Sequence, residues 1–278
     1  MDDRLHHWID RLQRSAYRAD WGIRLGRLLG TPADVRVVRH TILLDRYPAG
    51  APPLRIGFAS DFHAGPTTDP RLLARAFAAL IAAAPDLILL GGDFVSLEAG
   101  DVDCISSELA GLKAPLGCYA VLGNHDHWTS ARHIEQCLED TGIEVLTNRN
   151  IRLPPPFDSI WLCGLDDHWH GRPDAAATFN GADGVRILLM HAPSGLLDLR
   201  PHRFDLALSG HTHGGQIALP GGRPLLLPHG ELSGVYPRGR FETAAGTLVV
   251  SVGLGCSVLP VRLFADPEIL LCDVRGVT

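Results

Sequence analysis

The sequence is poor in lysine and has no long apolar run. Lys113 is its only lysine, so arginine supplies nearly all of the positive charge. No stretch approaches the roughly 20 consecutive apolar residues that span a bilayer, and we expect no transmembrane helix. The first residues show neither an apolar core nor a small-residue cleavage site, so we expect no signal peptide either. Both absences favour a cytoplasmic protein whose contact with a membrane, if it has one, is peripheral at the inner face.

Cysteine motifs and excess positive charge are also absent. The six cysteines form no CxxC pair, and four of them lie in apolar, strand-like runs: Cys118, Cys163, Cys256 and Cys272. This pattern is typical of reduced cysteines packed in a core. The formal net charge of -6 argues against a nucleic-acid partner, because phosphate backbones attract a basic surface.

The apolar content of the chain suffices for a large core. Hydrophobic residues make up 46% of its 278 residues and charged residues only 20%, a composition that excludes a disordered chain. The length is ordinary for one α/β enzyme domain with an appendage. We place the boundary after residue 34, which gives an amino-terminal segment, 1–34, and a catalytic domain, 35–278.

The amino-terminal segment has the pattern of an amphipathic helix. Leu5, Trp8, Ile9 and Leu12 recur at helical spacing. The first 30 residues also carry six arginines and four aspartates. A basic amphipathic helix with tryptophan can lie in a membrane interface, which is one hypothesis. A helix packed on its own domain and a contact between two copies are the alternatives, and the sequence predicts no particular oligomeric state.

From residue 35 onward, short apolar strands alternate with polar loops and helices. Asp69 and Pro70 predict the start of an alanine-rich helix that runs to Ala84. The second half is richer in strands, including one predicted over 216–219. This order predicts an α/β fold (α+β in some schemes) of stacked sheets with helices outside.

Every cluster of candidate metal ligands follows a predicted strand. The clusters contain Asp61 and His63, then Asp93, then Asn124 with His125 and Asp126, then His191, and finally His211 and His213. Loops at the carboxyl ends of strands converge in α/β sheets, and ligands bind there. Carboxylate, imidazole and amide donors without thiolate suit Mn, Fe, Zn or a similar divalent ion. Each residue alone has a structural alternative, such as a turn or a strand-end cap, but the clusters together predict a metal site.

These motifs resemble the signature of the calcineurin-like metallophosphoesterases. The resemblance rests on Asp61-x-His63, Gly92-Asp93, Gly123-Asn124-His125-Asp126, His191 and Gly210-His211-x-His213, and it covers roughly residues 54–274. It implies a four-layer αββα sandwich with two mixed β-sheets. It also implies hydrolysis of a phosphodiester or pyrophosphate bond by a hydroxide that bridges two divalent metal ions, manganese first, with iron, zinc, cobalt or nickel as alternatives.

The resemblance further implies a role for each residue. One metal ion would be held by Asp61, His63, Asp93 and His213. The other would be held by Asp93, Asn124, His191 and His211, so Asp93 would bridge both. His125 would protonate the leaving oxygen or stabilise phosphoryl charge, with Asp126 orienting its ring. Two metal ions can clamp the attacking and leaving oxygens and lower the pKa of a bound water to about 7.

Departures from the family pattern narrow the choice of branch within the family that this sequence resembles. The position three residues after Asp93 is Ser96 rather than tyrosine, so we expect no iron–tyrosinate centre. The arginine that serine/threonine protein phosphatases carry after the GD motif is missing. Residues 209–220, which begin Ser-Gly-His-Thr-His-Gly-Gly-Gln, resemble a bacterial branch that includes membrane-associated phosphodiesterases and UDP-diacylglucosamine hydrolases. That branch implies a lipid- or nucleotide-linked envelope substrate.

Two other functions and several residues stay open. A soluble nucleotide phosphodiesterase and a non-catalytic binding module on the same fold are the alternatives to an envelope hydrolase, and the complete ligand set disfavours the binding module. The polar cluster 166–170 is either a substrate loop or a solvated loop. Gln216 either points into the cleft or begins a strand. Tyr236, Arg238 and Arg240 either meet a substrate anion or lie on the surface.

Overall fold

Two six-stranded sheets form the centre of the molecule. The computed structural model describes Tyr17 and residues 21–277. In chain order the strands are β1 (Arg36–Leu44), β2 (Leu54–Ala59), β3 (Leu87–Leu90), β4 (Cys118–Ala120), β5 (Glu144–Val145), β6 (Arg149–Arg152), β7 (Ile160–Gly164), β8 (Val185–Leu189), β9 (Leu206–Ser209), β10 (Gly239–Glu242), β11 (Thr247–Val250) and β12 (Glu268–Gly276). The helices are α1 (Trp21–Leu28), α2 (Pro70–Ala82), α3 (Ser106–Gly111), α4 (Asn124–Thr129), α5 (Ala131–Asp140) and α6 (Ala175–Thr178). Short 3₁₀ turns cover Ala99–Ile105, Pro193–Leu197 and His213–Gly215.

Both sheets are mixed. The first has the order β1-β12-β2-β3-β4-β5, and the second has the order β10-β11-β9-β8-β7-β6. The central strands β2, β3 and β4 are parallel, as are β7, β8, β9 and β11. Antiparallel pairs join β12 to β2, β10 to β11 and β6 to β7. Parallel neighbours bring the carboxyl ends of the central strands to one edge of each sheet.

The cores lie between the sheets and on their outer faces. In β3, Leu87 and Leu89 pack between the two sheets, whereas Ile88 and Leu90 pack with the helices outside the first sheet. This alternation follows from the two-residue period of a strand, and burial of both faces explains its unbroken apolar sequence. A third cluster covers the outer face of the second sheet. The four-layer sandwich of two mixed sheets and flanking helices is therefore confirmed.

Four segments differ in local structure from the predicted elements. Residues 216–219 form no strand, because Gln216 has a φ of 53° and only isolated bridges join Ile217 to Leu263 and Ala218 to Pro224. The edge strands β6 and β10 were not predicted, since half of each faces solvent and their sequences are polar. Helix α4 was not predicted either, and its first residue is the candidate ligand Asn124.

Helix α1 packs on the body of the domain. Its buried residues are glycines, and a Cβ at Gly26 would lie 1.9 Å from the Pro260 carbonyl oxygen. Arg27 forms an ion pair with Asp69 at the start of α2. The Thr31 hydroxyl then donates a hydrogen bond to the same Pro260 oxygen over 3.4 Å. Close approach of the two backbones therefore requires glycine at position 26.

The outer side of α1 remains apolar and exposed. Trp21, Leu25 and Leu28 are exposed, as is Leu29 just beyond the helix. The helical pattern predicted for residues 1–16, including Trp8 and Leu12, lies outside the described residues. Within Tyr17 and 21–277, no helix is both long enough and apolar enough to cross a membrane.

Gly26→Ala should destabilise the docked α1, whereas Gly111→Ala should not. Alanine is favoured over glycine in a helix by about 1 kcal/mol, but the Pro260 carbonyl leaves no room for a Cβ at position 26. At Gly111, in α3, nothing lies within 4 Å of the added Cβ, so this variant should be neutral or stabilised. Urea unfolding and proteolysis of the segment after α1 would measure both. Equal stability of the two variants would contradict the close packing.

Candidate metal centre

The structure brings all seven predicted metal ligands together at one edge of the sheets. They follow the ends of β2, β3, β4, β8 and β9, and all are buried: Asp61, His63, Asp93, Asn124, His191, His211 and His213. Loops from both sheets supply them, so the site lies where the carboxyl ends of parallel strands from the two sheets meet.

The first group of ligands, pocket one, comprises Asp61, His63, Asp93 and His213. The Nε2 atoms of His63 and His213 are 3.1 Å apart. His213 Nε2 lies 3.6 Å from Asp61 Oδ1, and His63 Nε2 lies 3.5 Å from Asp93 Oδ2. One donor atom from each of Asp61, His63 and His213 lies within 4.8 Å of the others, which is close enough to surround one ion.

The second group, pocket two, comprises Asp93, Asn124, His191 and His211. His191 Nε2 lies 3.3 Å from Asp93 Oδ2 and 3.1 Å from Asn124 Oδ1. The same Asn124 oxygen is 3.0 Å from His211 Nδ1. The two pockets therefore meet at the Asp93 carboxylate.

Backbone carbonyls accept hydrogen bonds from both imidazoles of pocket two, on the side of each ring that faces away from the pocket. His191 Nδ1 lies 2.8 Å from the Gly91 oxygen, and His211 Nε2 lies 3.0 Å from the His229 oxygen. A carbonyl only accepts a hydrogen bond, so each of these nitrogens carries the ring proton. In a neutral ring the opposite nitrogen keeps its lone pair towards the pocket, as in metal-binding histidines.

Left-handed backbone conformations orient most of the candidate ligands. Five of the seven have a positive φ, between 44° and 68°: Asp61, His63, Asp93, His211 and His213. Such conformations cost of order 1–3 kcal/mol each for a non-glycine residue and cluster at functional sites. Glycines let the loops crowd together, since a Cβ at Gly123 would lie 2.3 Å from Asp93 Oδ1 and one at Gly210 would lie 2.2 Å from Asp61 Oδ2.

Burial and neighbouring charges decide which histidine and aspartate side chains of the site are charged. It lowers the pKa of His63 and His213 well below the usual value and that of His211 to about 3, so these rings are neutral. Burial would raise the pKa of Asp93, but the charge of His191 outweighs it and the pKa falls well below its usual range. Asp93 in turn overcomes the effect of burial on His191 and raises that pKa to about 10. The site thus combines three neutral imidazoles, the positively charged ring of His191 and an ionised Asp93 carboxylate that attracts positive charge.

His125 lies at the mouth of this site, and a backbone carbonyl fixes its ring. Its Nδ1 is 2.7 Å from the Ser96 oxygen, and its Nε2 is 3.5 Å from the Ser257 hydroxyl. The ring meets His63 edge-on, with centroids 4.7 Å apart. His125 is half-buried, so a substrate can reach the side of the ring that carries Nε2.

Asp126 does not orient His125, contrary to prediction. Its buried carboxylate accepts hydrogen bonds from the backbone N–H groups of Gly123 at 2.8 Å, Asp93 at 2.9 Å and Phe94 at 2.8 Å. Burial raises its pKa to about 7, although these donors oppose the shift. Position 126 is the third residue of α4, where a carboxylate reaches back to orphaned N–H groups. Asp126 thus ties the Asp93 loop to the loop that carries Asn124.

Gln216 and the residues near positions 236–240 lie outside the cleft. The Gln216 amide donates to the Leu259 and Val261 carbonyls at 2.7 and 3.1 Å and accepts from the Ser257 N–H at 2.9 Å. It therefore holds the loop 257–261 and neither begins a strand nor enters the site. Arg240 pairs with Glu242 and donates to the Thr41 carbonyl, Arg238 donates to the Gly221 carbonyl, and Tyr236 packs on Phe241.

The polar cluster 166–170 lies against pocket two. The Trp169 ring packs on His211 with centroids 4.6 Å apart. Asp166 accepts from His127 at 3.0 Å, and Asp167 accepts from the N–H groups of Trp169 and His170. This cluster is an ordered loop at the site rather than a solvated one.

A residue that the sequence analysis did not identify also reaches the site. Arg262 Nη2 lies 2.9 Å from His213 Nδ1, although the two residues are 49 positions apart. No spacing motif connects them. An arginine inside an otherwise apolar stretch before β12 was the only signal in the sequence.

Comparison with known proteins identifies the family. The family model described as calcineurin-like phosphoesterase matches residues 54–215. An uncharacterised metallophosphoesterase of Bacillus subtilis, YkuE, is 31% identical over 274 residues, covering 95% of this chain and 94% of that protein. The chain belongs to the calcineurin-like phosphoesterase family.

A second relative of this phosphoesterase has a similar level of sequence identity, and a solved structure is similar at a much lower level. The phosphodiesterase YaeI of Escherichia coli is 33% identical over 195 residues, covering 68% of this chain and 70% of that protein. A solved structure of an archaeal phosphodiesterase aligns with a TM-score of 0.41 at 14% identity, over 72% of this chain and 84% of that one. Family membership makes the protein a phosphoester hydrolase, and its histidine and aspartate clusters can bind metal ions.

Asp126→Asn should destabilise this phosphoesterase by about 2–4 kcal/mol, because an amide nitrogen replaces an oxygen that accepts N–H groups. Asp167→Asn is the matched control. Asp167 Oδ2 accepts two N–H groups, but its buried Oδ1 has no partner, so the amide can take that position. We expect a change of about 1 kcal/mol or less there. Urea unfolding tests both, and an equal loss would show that the backbone hydrogen bonds of Asp126 are unimportant.

Proposed function

We propose that this phosphoesterase hydrolyses a phosphodiester or pyrophosphate bond with two divalent metal ions, one in each pocket. The position of Asp93 carries the proposal. Its Oδ2 lies 3.5 Å from His63 Nε2 in pocket one and 3.3 Å from His191 Nε2 in pocket two. A carboxylate oxygen that faces an imidazole of each pocket is placed as a bridging ligand must be.

The donors fit such ions chemically. His63 Nε2 and His213 Nε2 are buried, neutral and only 3.1 Å apart, so a cation between the rings and Asp61 would satisfy donor atoms that now face one another. Carboxylate, imidazole and amide oxygen without thiolate favour manganese, with iron, zinc, cobalt or nickel as alternatives. Once bound, the two ions would lower the pKa of a water and neutralise charge on phosphoryl oxygens.

His125 is the proposed proton donor to the leaving oxygen. The Ser96 carbonyl holds Nδ1 at 2.7 Å, so that nitrogen carries a proton and Nε2 is the nitrogen that faces a substrate. To act as donor, the ring must be the imidazolium with a second proton on Nε2; transfer of that proton to the leaving oxygen returns it to the neutral form with Nδ1–H. Asp93 Oδ1 accepts the His125 backbone N–H at 2.9 Å, which fixes the ring relative to both pockets. In this assignment Asp126 acts indirectly, through the backbone that positions Asp93 and Asn124.

Asp93→Asn and His125→Ala should separate metal binding from proton transfer. Asp93→Asn removes the shared negative charge, so both metal content and turnover should fall. His125→Ala should keep two ions per chain and lose about 10²–10⁴-fold in rate, the range of a general acid. Metal analysis and hydrolysis of bis-p-nitrophenyl phosphate measure the two effects.

Chelation is the control for this experiment. Removing metal should abolish hydrolysis, and adding Mn²⁺ should restore it. Full activity of a metal-free preparation would overturn the metal mechanism. Loss of metal from His125→Ala would instead place His125 among the ligands, which its proximity to His63 and Asp93 allows.

The substrate that we infer is lipid- or nucleotide-linked and belongs to the cell envelope. Exposed apolar side chains lie beside His125, on the neighbouring loop and on the helix that packs on that loop. Trp128 lies against His125 with ring centroids 4.4 Å apart, and the loop that holds Ser257 near His125 also exposes Leu259. Helix α1 packs on that loop and exposes Leu28. A phosphodiester whose leaving group is apolar would meet these side chains.

We further infer peripheral attachment at the inner face of the membrane. Residues 1–34 serve as the attachment segment in this proposal, and 35–278 form the catalytic domain. The exposed side of α1 combines apolar residues with Arg24, and each basic residue near an anionic surface adds about 1 kcal/mol. A soluble nucleotide phosphodiesterase is the competing function, and it requires no such surface.

Leu28→Glu combined with Leu259→Glu should reduce pelleting with anionic liposomes at low salt by at least about tenfold, since burying one leucine contributes about 1.5–3 kcal/mol. Both side chains are exposed, by 83% and 47%, so the fold should not change. Ile81→Glu is the control, because Ile81 is 49% exposed at the far end of α2. Negligible pelleting of the unmodified protein would favour the soluble alternative.

A further inference from the structure

Two rings continue outward from His125, the proposed proton donor. The Trp128 ring packs on the His125 ring with centroids 4.4 Å apart, and the His170 ring meets Trp128 edge-on with centroids 4.9 Å apart. Trp128 is 38% exposed, and His170 is exposed as well. The Ser96 carbonyl already fixes His125 at Nδ1, so the exposed faces of the two outer rings are accessible to a bound substrate.

The two outer rings come from elements of different sheets. Trp128 lies on α4, which follows β4 of the first sheet, and His170 ends the cluster 166–170, which follows β7 of the second sheet. His125 and Trp128 are three residues apart in one helix, where side chains at this spacing are neighbours. The contact with His170, in contrast, exists only because the two sheets pack together.

An ion pair between the same two elements holds these rings in place. His127 Nε2, on α4, lies 3.0 Å from Asp166 Oδ1. Asp166 Oδ2 accepts the Arg172 N–H at 2.8 Å, and the Asp166 N–H donates to Asn148 Oδ1 at 3.1 Å. A surface that is fixed before a ligand arrives loses little conformational freedom when the ligand binds. The ring pair is therefore ordered in advance.

The position of the rings corresponds to the leaving group of a phosphodiester. The leaving oxygen must lie within hydrogen-bond distance of His125 Nε2 to receive its proton. Trp128 packs on the same imidazole, so the group bonded to that oxygen begins beside the indole. His170 extends the surface farther from the metal site.

We propose that Trp128 and His170 form a stacking surface for a planar aromatic leaving group, such as a nucleoside with its base, and that they set the preference of the enzyme among phosphodiesters. Aromatic rings in contact gain free energy beyond that of the buried area, and every nucleobase has a flat face that can stack. An aliphatic chain has no such face and would pack on leucine equally well. The inference rests on the function proposed above and narrows its substrate class.

The test compares two methyl phosphodiesters, hydrolysed by the full chain with Mn²⁺. Naphthol is the leaving group of one, and hexafluoroisopropanol, which is of similar acidity but not planar, is the leaving group of the other. Trp128→Leu should lower the ratio of the two kcat/KM values, naphthyl over fluoroalkyl, by about 2–10-fold, the range of one aromatic contact. The KM of the naphthyl ester should rise. His170→Ala should shift the ratio in the same direction, and Trp128→Phe should restore most of it.

Trp161→Leu and His202→Ala are the matched controls. Trp161 lies near the start of β7, at the edge of the sheet opposite the ligands, and His202 stacks on Phe179 of the outer core with centroids 5.3 Å apart. Both variants should keep the ratio of the unmodified protein.

The ratio also separates the two proposals. An equal loss for both esters in Trp128→Leu would overturn the stacking surface, because it would show a general apolar surface that suits a lipid-like leaving group. An unchanged ratio in both Trp128→Leu and His170→Ala would overturn it as well. If the unmodified protein hydrolysed neither ester, the proposed function itself would fall.

Discussion

The ionised carboxylate of Asp93, buried between two sheets, is the group around which the site is arranged. Its Oδ1 accepts the His125 backbone N–H at 2.9 Å, and its Oδ2 faces imidazole nitrogens of both pockets. A buried charge of this kind must be compensated by hydrogen bonds and by positive charge nearby. The raised pKa of His191 shows how strongly the carboxylate attracts such charge. Two metal ions would supply it directly.

Holding that carboxylate requires a rigid frame. Five ligands adopt left-handed backbone conformations that are unfavourable for residues with a Cβ. The four-layer core on both sides of the sheets offsets this cost, and Asp126 fixes the Asp93 loop through backbone N–H groups. The loops that carry the candidate ligands are therefore held to one another by backbone hydrogen bonds, and part of the folding stability offsets the cost of their unfavourable conformations.

The loop that precedes β12 links the site to the amino-terminal helix. Pro260 contacts α1 through Gly26, Ser257 approaches His125, and Arg262 holds His213. Gln216 binds the middle of this loop with both ends of its amide. The surface proposed to meet a membrane and the residues proposed to bind metal therefore share one segment of chain.

Local sequence patterns determined where helix α2 begins, where the buried strands lie and which residues are candidate ligands. Asp69 and Pro70 start α2 as predicted, because capping depends on neighbouring residues alone. Apolar runs predicted the buried strands, and the polar residues that follow them predicted the seven candidate ligands, which lie together because parallel strands end at one edge. The family followed from the same motifs.

The tertiary structure decided which distant residues serve that site. Asp126 accepts hydrogen bonds from the backbone N–H groups of Asp93 and Phe94, 33 and 32 residues earlier, so these partners could not be read from the GNHD motif. Gln216 adopts a positive φ where a strand was predicted, and β6 and β10 pair although their sequences are polar. Arg262 meets His213 only because the loop before β12 folds back over the end of β2. Such contacts depend on how separate loops pack in space, and short-range sequence periodicity carries no information about that packing.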